Sequence, residues 1–167
     1  EAAGVTVAKV KEALSIALAG LASRRAERLR PALDDKVVAY GNGLAVRALA
    51  EAGTVLGEPR YLQAAAAAAR FVLDHLRRPD GRLLRFERQG NEAVPGFCED
   101  YGATALGCFA LFQATGDPAW YRAAADLTAS MVEYFRDPAD GAFLTAARDV
   151  PRPLAPRKDF TDNPGPS

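Results

Sequence analysis

The feature that most constrains this chain is that it repeats itself. Gly57-Glu58-Pro59-Arg60-Tyr61 returns as Gly116-Asp117-Pro118-Ala119-Trp120, Asp80-Gly81 returns as Asp140-Gly141, and Asn42-Gly43 lies over Tyr101-Gly102, all at a shift of 59 or 60 residues. Fixed spacing of that size marks an array of supersecondary units. Each unit reads as an apolar helix, a Gly-acid-Pro turn, an amphipathic helix, an Asp-Gly turn and a short extended piece. A helical hairpin cannot bury its apolar helix alone, so neighbouring hairpins stack. Alternating buried and half-exposed helices close naturally into a two-layer toroid whose inner helices line a central cavity.

The local signals agree with that plan. Residues 5–28 carry an apolar stripe (Val7, Val10, Leu14, Ala17, Leu18, Leu21) that ends in Arg24, Arg25 and Arg28, where cations suit the negative end of a helix, and Pro31 stops it. Residues 42–56 are apolar on nearly every face, which predicts a buried helix. Pro59 opens the next helix, running to about Leu76 through Tyr61, Ala64, Ala68, Phe71 and Val72. Leu83–Phe86 and Ala93–Val94, flanking Gly90-Asn91, predict a small hairpin. A mostly apolar helix from Tyr101 to Thr115 follows, and Asp117-Pro118 opens the last, with Trp120, Tyr121, Leu127, Met131 and Phe135. The whole is two complete hairpins preceded by one outer helix, about half of a six-hairpin ring. The fold expected is therefore all-α: an incomplete (α/α) six-hairpin toroid over residues 1–167, with short β-hairpin connections and a Pro-rich tail at 148–167.

Composition supports helices and excludes some partners. Hydrophobic residues make up 49% of the chain, alanine is abundant and β-branched residues are few. Lys and Arg number 21 and so do Asp and Glu, so no global field attracts nucleic acid or an anionic membrane. No apolar stretch reaches the ~20 residues of a membrane span, and no leader pattern opens the chain, which predicts a cytosolic protein. Cys98 and Cys108, ten residues apart on one predicted helix, lie ~15 Å apart and cannot pair. The chain begins at Glu1 without Met, which reads as a piece of something longer.

Several stretches resemble a known family in order and content: Arg30-Pro31-Ala32-Leu33-Asp34-Asp35-Lys36, Asn42-Gly43-Leu44, Gly57-Glu58-Pro59-Arg60-Tyr61-Leu62, Pro79-Asp80-Gly81-Arg82-Leu83, Pro95-Gly96-Phe97-Cys98-Glu99-Asp100-Tyr101 and Arg157-Lys158-Asp159. The chain resembles the C-terminal helical-barrel region of thioredoxin-domain-containing proteins of the YyaL and spermatogenesis-associated type. That resemblance implies a barrel similar to sugar 2-epimerases and six-hairpin glycosidases, preceded in full-length relatives by a thioredoxin-like domain. Two departures stand out. Gly41 occupies a position where the family usually has Trp, and the family's closing Pro-Ser-Gly-Asn-Ser pattern is reduced to Pro164-Gly165-Pro166-Ser167.

In a toroid the loops that enter the inner helices form one mouth of the cavity, and Asp34-Asp35 and Glu99-Asp100 sit on such loops. Paired carboxylates there suit acid and base work on a glycosidic bond or a sugar hydroxyl, with their separation deciding which. The candidate catalytic residues are thus Asp34, Asp35, Glu99 and Asp100. Lys36 would keep a carboxylate ionised, Asn42 would bind a hydroxyl, and Tyr101 would stack or donate. The plainer reading is that Asp100 caps a helix, worth about 1 kcal/mol, and that Asp34, Asp35 and Lys36 form a solvated ion pair. His75, the only histidine, sits at a helix C-terminus where it complements the dipole. One histidine and two distant thiols make no metal-ligand set, and no cofactor is expected. Trp120 and Tyr121 read as core, and Cys98 as a small buried hydrophobe. Three functions remain open: a sugar isomerase, epimerase or glycosidase segment; a non-catalytic scaffold that binds another protein; and a lipid-handling toroid. The expected partners are a sugar and, for the exposed edge helices of a half ring, either the remaining half of the barrel or a second copy in a homodimer.

Overall fold

The structure, a computed structural model, describes residues 5–87, 94–150 and 158. Its chain forms two compact units, Glu1–Asp34 and Asp35–Ser167. The first holds one helix, α1 (Val7–Ala26), whose start is capped by the Thr6 hydroxyl accepting from Lys9 N and whose last turn carries Arg24 and Arg25. None of its residues is buried.

The second unit contains β1 (Val37–Val38), α2 (Ala39–Leu56), α3 (Pro59–His75), β2 (Phe86–Glu87), α4 (Cys98–Thr115) and α5 (Pro118–Phe135). The expectation of helices joined by short extended pieces holds. Both Gly-acid-Pro turns do what the sequence requires: Gly57 and Gly116 end α2 and α4 at φ 65° and 71°, which a side chain disfavours, and Pro59 and Pro118 start α3 and α5. The turns after α3 and α5 also match bond for bond. Leu84 N donates to Leu76 O, Arg78 N to Arg82 O, and Gly81 N to Arg78 O; 59 or 60 residues on, Leu144 N donates to Phe135 O, Asp137 N to Ala142 O, and Gly141 N to Asp137 O. Each turn then reaches back to the start of the first helix of its own hairpin, Arg85 O accepting from Ala39 N at 2.9 Å and Thr145 O from Cys98 N at 2.9 Å.

The core lies between α2 and α4, with α3 and α5 packed behind them. Leu76, Leu83, Leu111, Leu127 and Phe135 are almost wholly removed from water, each contributing about 1.5–3 kcal/mol by transfer. Helices α2 and α4 approach so closely that a methyl group placed on Gly43 would lie 2.5 Å from the Ala103 carbonyl carbon. Among the described residues no helix is long and apolar enough to cross a membrane.

Several element details differ from expectation. Helices α2 and α4 begin three residues earlier than predicted, at Ala39 and Cys98, because distant carbonyls hold their first amides, Arg85 O that of Ala39 and Thr145 O that of Cys98, and a local capping box of Asp100 on Phe97 adds to the second. On α3 the buried residues are Ala65, Ala69 and Val72, while Phe71 is 36% exposed. Six consecutive alanines, 64–69, give no periodicity from which to choose a face. Helix α2 buries one stripe only, leaving Leu44, Val55 and Leu56 exposed. The expected hairpin is present as pairing of Leu84 with Pro95; its turn at Gly90-Asn91 lies outside the described residues, as does nearly all of the tail. Phe86 pairs instead with Val38 across β1 and β2. Trp120 is buried, as read from the sequence, but Tyr121 is 51% exposed.

Candidate functional site

Helices α2 and α4 start at the same end of the unit, and one side chain ties them together. Asp100, in the first turn of α4, turns its carboxylate back so that Oδ2 accepts from Phe97 N at 2.7 Å, while Oδ1 accepts from Tyr40 N in the first turn of α2 at 3.1 Å. Two of the amides that helix starts leave without partners are thereby satisfied, one on each helix. The side chain is 0% exposed. Burial pushes its pKa up to about 6, against the lowering pull of the Phe97 amide, the Arg85 guanidinium and the Tyr40 amide.

Arg85, which the sequence reading did not single out, organises this end. Its extended segment precedes β2, and β1–β2 pairing (Val37 with Glu87, Val38 with Phe86) holds that segment beside the start of α2. From there Arg85 Nη1 reaches Glu99 Oε1 at 2.9 Å and Asp100 Oδ2 at 3.5 Å, and its guanidinium covers the Phe97 ring, 4.4 Å from the centroid. The sequence offered Arg85 only as one of three arginines in this stretch, with Arg82 and Arg88, and nothing local singles it out.

The other candidates divide. Glu99 stays partly open, its side chain 36% exposed, so it is the carboxylate of this cluster that a solute can reach. Tyr101, expected at a mouth, is only 2% exposed; its hydroxyl accepts from Leu83 N at 2.8 Å and its ring meets Phe135 edge-on at 5.1 Å. It faces the core because it follows Asp100 on the inner side of α4. Asn42 is half-buried and donates Nδ2–H to Val38 O at 2.8 Å, securing the start of α2. Lys36 sets its ammonium 5.5 Å from the Phe86 ring centroid. Asp35 is exposed at the opening of this unit, and Asp34 is the last residue of the other. The Cys98 thiol is pushed up to about 11 by burial and by the adjacent carboxylates, which leaves little thiolate at neutral pH. His75 stacks on Phe71 with centroids 4.5 Å apart.

A second polar knot closes the far end of the α5 turn. Lys158 pairs with Asp137 at 2.8 Å and with Asp140, and these partners hold both carboxyls below their ordinary range. Arg82 forks onto Asp149 and lies 3.9 Å from the Tyr134 ring centroid. A groove of about 710 Å³ lies elsewhere and has a different character: it runs along α4 and α5, walled by Leu106, Phe109, Tyr121 and Val132.

No family model matches the chain. Among curated proteins it is similar to spermatogenesis-associated protein 20 of Homo sapiens, 32% identical over 174 residues that take in 98% of this chain and 22% of the relative. The protein of the same name in Mus musculus is 30% identical over the same extent. An uncharacterized protein of Caenorhabditis elegans is 28% identical over 131 residues, 74% of this chain and 18% of that protein. The chain spans about a fifth of the length of these relatives.

Proposed function

We propose, from the homology of this chain to one region of spermatogenesis-associated protein 20, that it is a segment of a carbohydrate-handling (α/α) barrel, with the Arg85–Glu99 end of α2 and α4 as its sugar-facing rim. The observation that carries this reading is the company kept at that end. An accessible carboxylate, a guanidinium paired with it at 2.9 Å, and an aromatic ring under the guanidinium stand together where α2 and α4 begin. A sugar needs those chemistries: charged groups for its hydroxyls and a carboxylate for proton transfer. In this proposal Glu99 is the acid or base, Asp35 the candidate second carboxylate, Lys36 and Arg85 bind hydroxyls, and Asp100 is a positioning residue. The reaction class is isomerisation, epimerisation or hydrolysis of a sugar.

The test is a titration of neutral and acidic mono- and disaccharides into the isotopically labelled chain, and into a longer polypeptide containing it, following the amides of Arg85 and Glu99. Saturable shifts that Glu99→Gln weakens tenfold or more support the proposal. Absence of any saturable shift in either protein refutes it. One observation favours a second reading, a non-catalytic scaffold: Asp100, Asn42 and Tyr101 all spend their polar atoms on the chain itself, and the groove along α4 and α5 is apolar.

A further inference from the structure

The groove along α4 and α5 is the face that, one repeat earlier, is covered. Gly43, Val46, Ala50, Ala65, Ala69 and Val72 are buried on the α2–α3 hairpin. A shift of 59 residues carries them to Gly102, Ala105, Phe109, Ala124, Thr128 and Met131, all lining the groove. There Phe109 is 40% exposed where Ala50 is 0%, and Thr128 is exposed where Ala69 is 1%. The pair of glycines is the most telling. Gly43 admits the backbone of Ala103 and Thr104, so close that an added methyl would stand 2.5–2.7 Å from it, whereas the nearest atom to a methyl on Gly102 is the Met131 sulfur at 3.9 Å. The same gap for a helix backbone is built on both hairpins and filled on one.

Charge repeats as well. At the end of α3, Arg77 pairs at 3.6 Å with Asp126, midway along α5 on the neighbouring hairpin. Its equivalent at the end of α5, Arg136, is exposed and has no ion-pair partner among the described residues.

From these matches we infer that the α4–α5 groove is a docking face for a further helical hairpin, whose inner helix brings Gly, Ala or Thr to Gly102 and whose outer helix brings an acid to Arg136. A second copy of this chain is the poorer occupant: the residue of α3 that corresponds to Asp126 is Ala67, so its free hairpin has no acid at the position that would meet Arg136. The inference rests on the stacked-hairpin part of the proposed function and is independent of whether the rim binds sugar.

The experiment is a chain in which residues 95–150 are copied in place of residues 154–167, with Lys instead of the copied Glu99 so that Lys158 and its pairs with Asp137 and Asp140 are kept; this preserves the 59-residue spacing (154 − 95). The copied hairpin carries Ala103, Thr104 and Asp126, the residues the groove calls for. The extended chain is expected to be monomeric, to unfold in one cooperative urea transition, and to melt at least about 4 °C above the natural chain. Gly102→Leu in the first copy alone should erase that gain, measured against the natural chain carrying the same substitution, whose melting it should not lower, and Arg136→Glu should reduce it. Three outcomes overturn the inference: the added hairpin melting separately with no gain, the gain surviving Gly102→Leu, or the natural chain forming a dimer that Gly102→Leu abolishes. Since no step involves a saccharide, failure here and failure of the sugar titration are separate results.

Discussion

Gly43 and Gly102 occupy the same place in successive repeats, yet alanine should have opposite effects at the two. In a helix interior, Gly→Ala alone stabilises by about 1 kcal/mol through backbone entropy. At Gly102 little opposes this gain, because the nearest atom to the new methyl is 3.9 Å away, in van der Waals contact. At Gly43 the methyl would sit 2.5 Å from the Ala103 carbonyl carbon, 2.6 Å from Thr104 N and 2.7 Å from Ala103 O. Those are backbone atoms within a helix, so relief requires α2 and α4 to separate by about 1 Å along their contact, opening the packing of Val46 against Gly107. Overpacking of this kind costs about 1–3 kcal/mol, and the lost contacts along the seam add to it. The expected net change is about 1–3 kcal/mol destabilising for Gly43→Ala and about 0.5–1 kcal/mol stabilising for Gly102→Ala, read from urea midpoints at constant m value. Equal and stabilising effects at both positions would refute the claim that the α2–α4 seam is closed by backbone approach at Gly43.

Three further changes probe the site and the core. Asp100 has its folded pKa near 6 against an ordinary 3.8; its stabilising contribution is present below about pH 4 and is lost as pH rises through 6, by up to about 3 kcal/mol, so stability measured at pH 4.5 and 7 should differ more in the natural chain than in Asp100→Asn. Tyr101→Phe strands the Leu83 amide in the core and should cost about 1–3 kcal/mol in urea unfolding. Arg85→Ala removes the partner of Glu99 and the cover of Phe97; it should abolish any saccharide shift at Glu99 while lowering the melting temperature by only a few degrees.

What the sequence made legible was its punctuation. Gly57, Pro59, Gly116 and Pro118 act through their own backbone restrictions, so the turns and the order of helices followed from residue type and spacing alone. The alanine run 64–69 has no such content, and the face of α3 had to come from what packs on it. Long-range partners were equally hidden. The start of α2 depends on Asp100, 60 residues away from Tyr40, and Arg85 finds Glu99 only because β1 and β2 pair. Tyr101, beside two acids, looked like a rim residue. Its neighbour Asp100 fixes the rotation of α4, and that rotation sends Tyr101 inward.

That same rotation decides which acid of the pair can do chemistry. A pKa near 6 would suit Asp100 to proton transfer at neutral pH, but transfer also needs contact with the substrate, and Asp100 is fully enclosed with both oxygens accepting from helix-start amides. Burial there favours the proton, while the Phe97 and Tyr40 amides and Arg85 favour the carboxylate. Its charge state is therefore coupled to the docking of α2 on α4, and it acts on any reaction only by placing its neighbours. Glu99 has the complementary character: open to solvent on one side and held by Arg85 on the other. The buried aspartate holds the start of α4 against α2 and the glutamate is the one left open to solvent, so exchanging the two residues should preserve charge and composition while losing both the seam and the rim proposed for sugar binding.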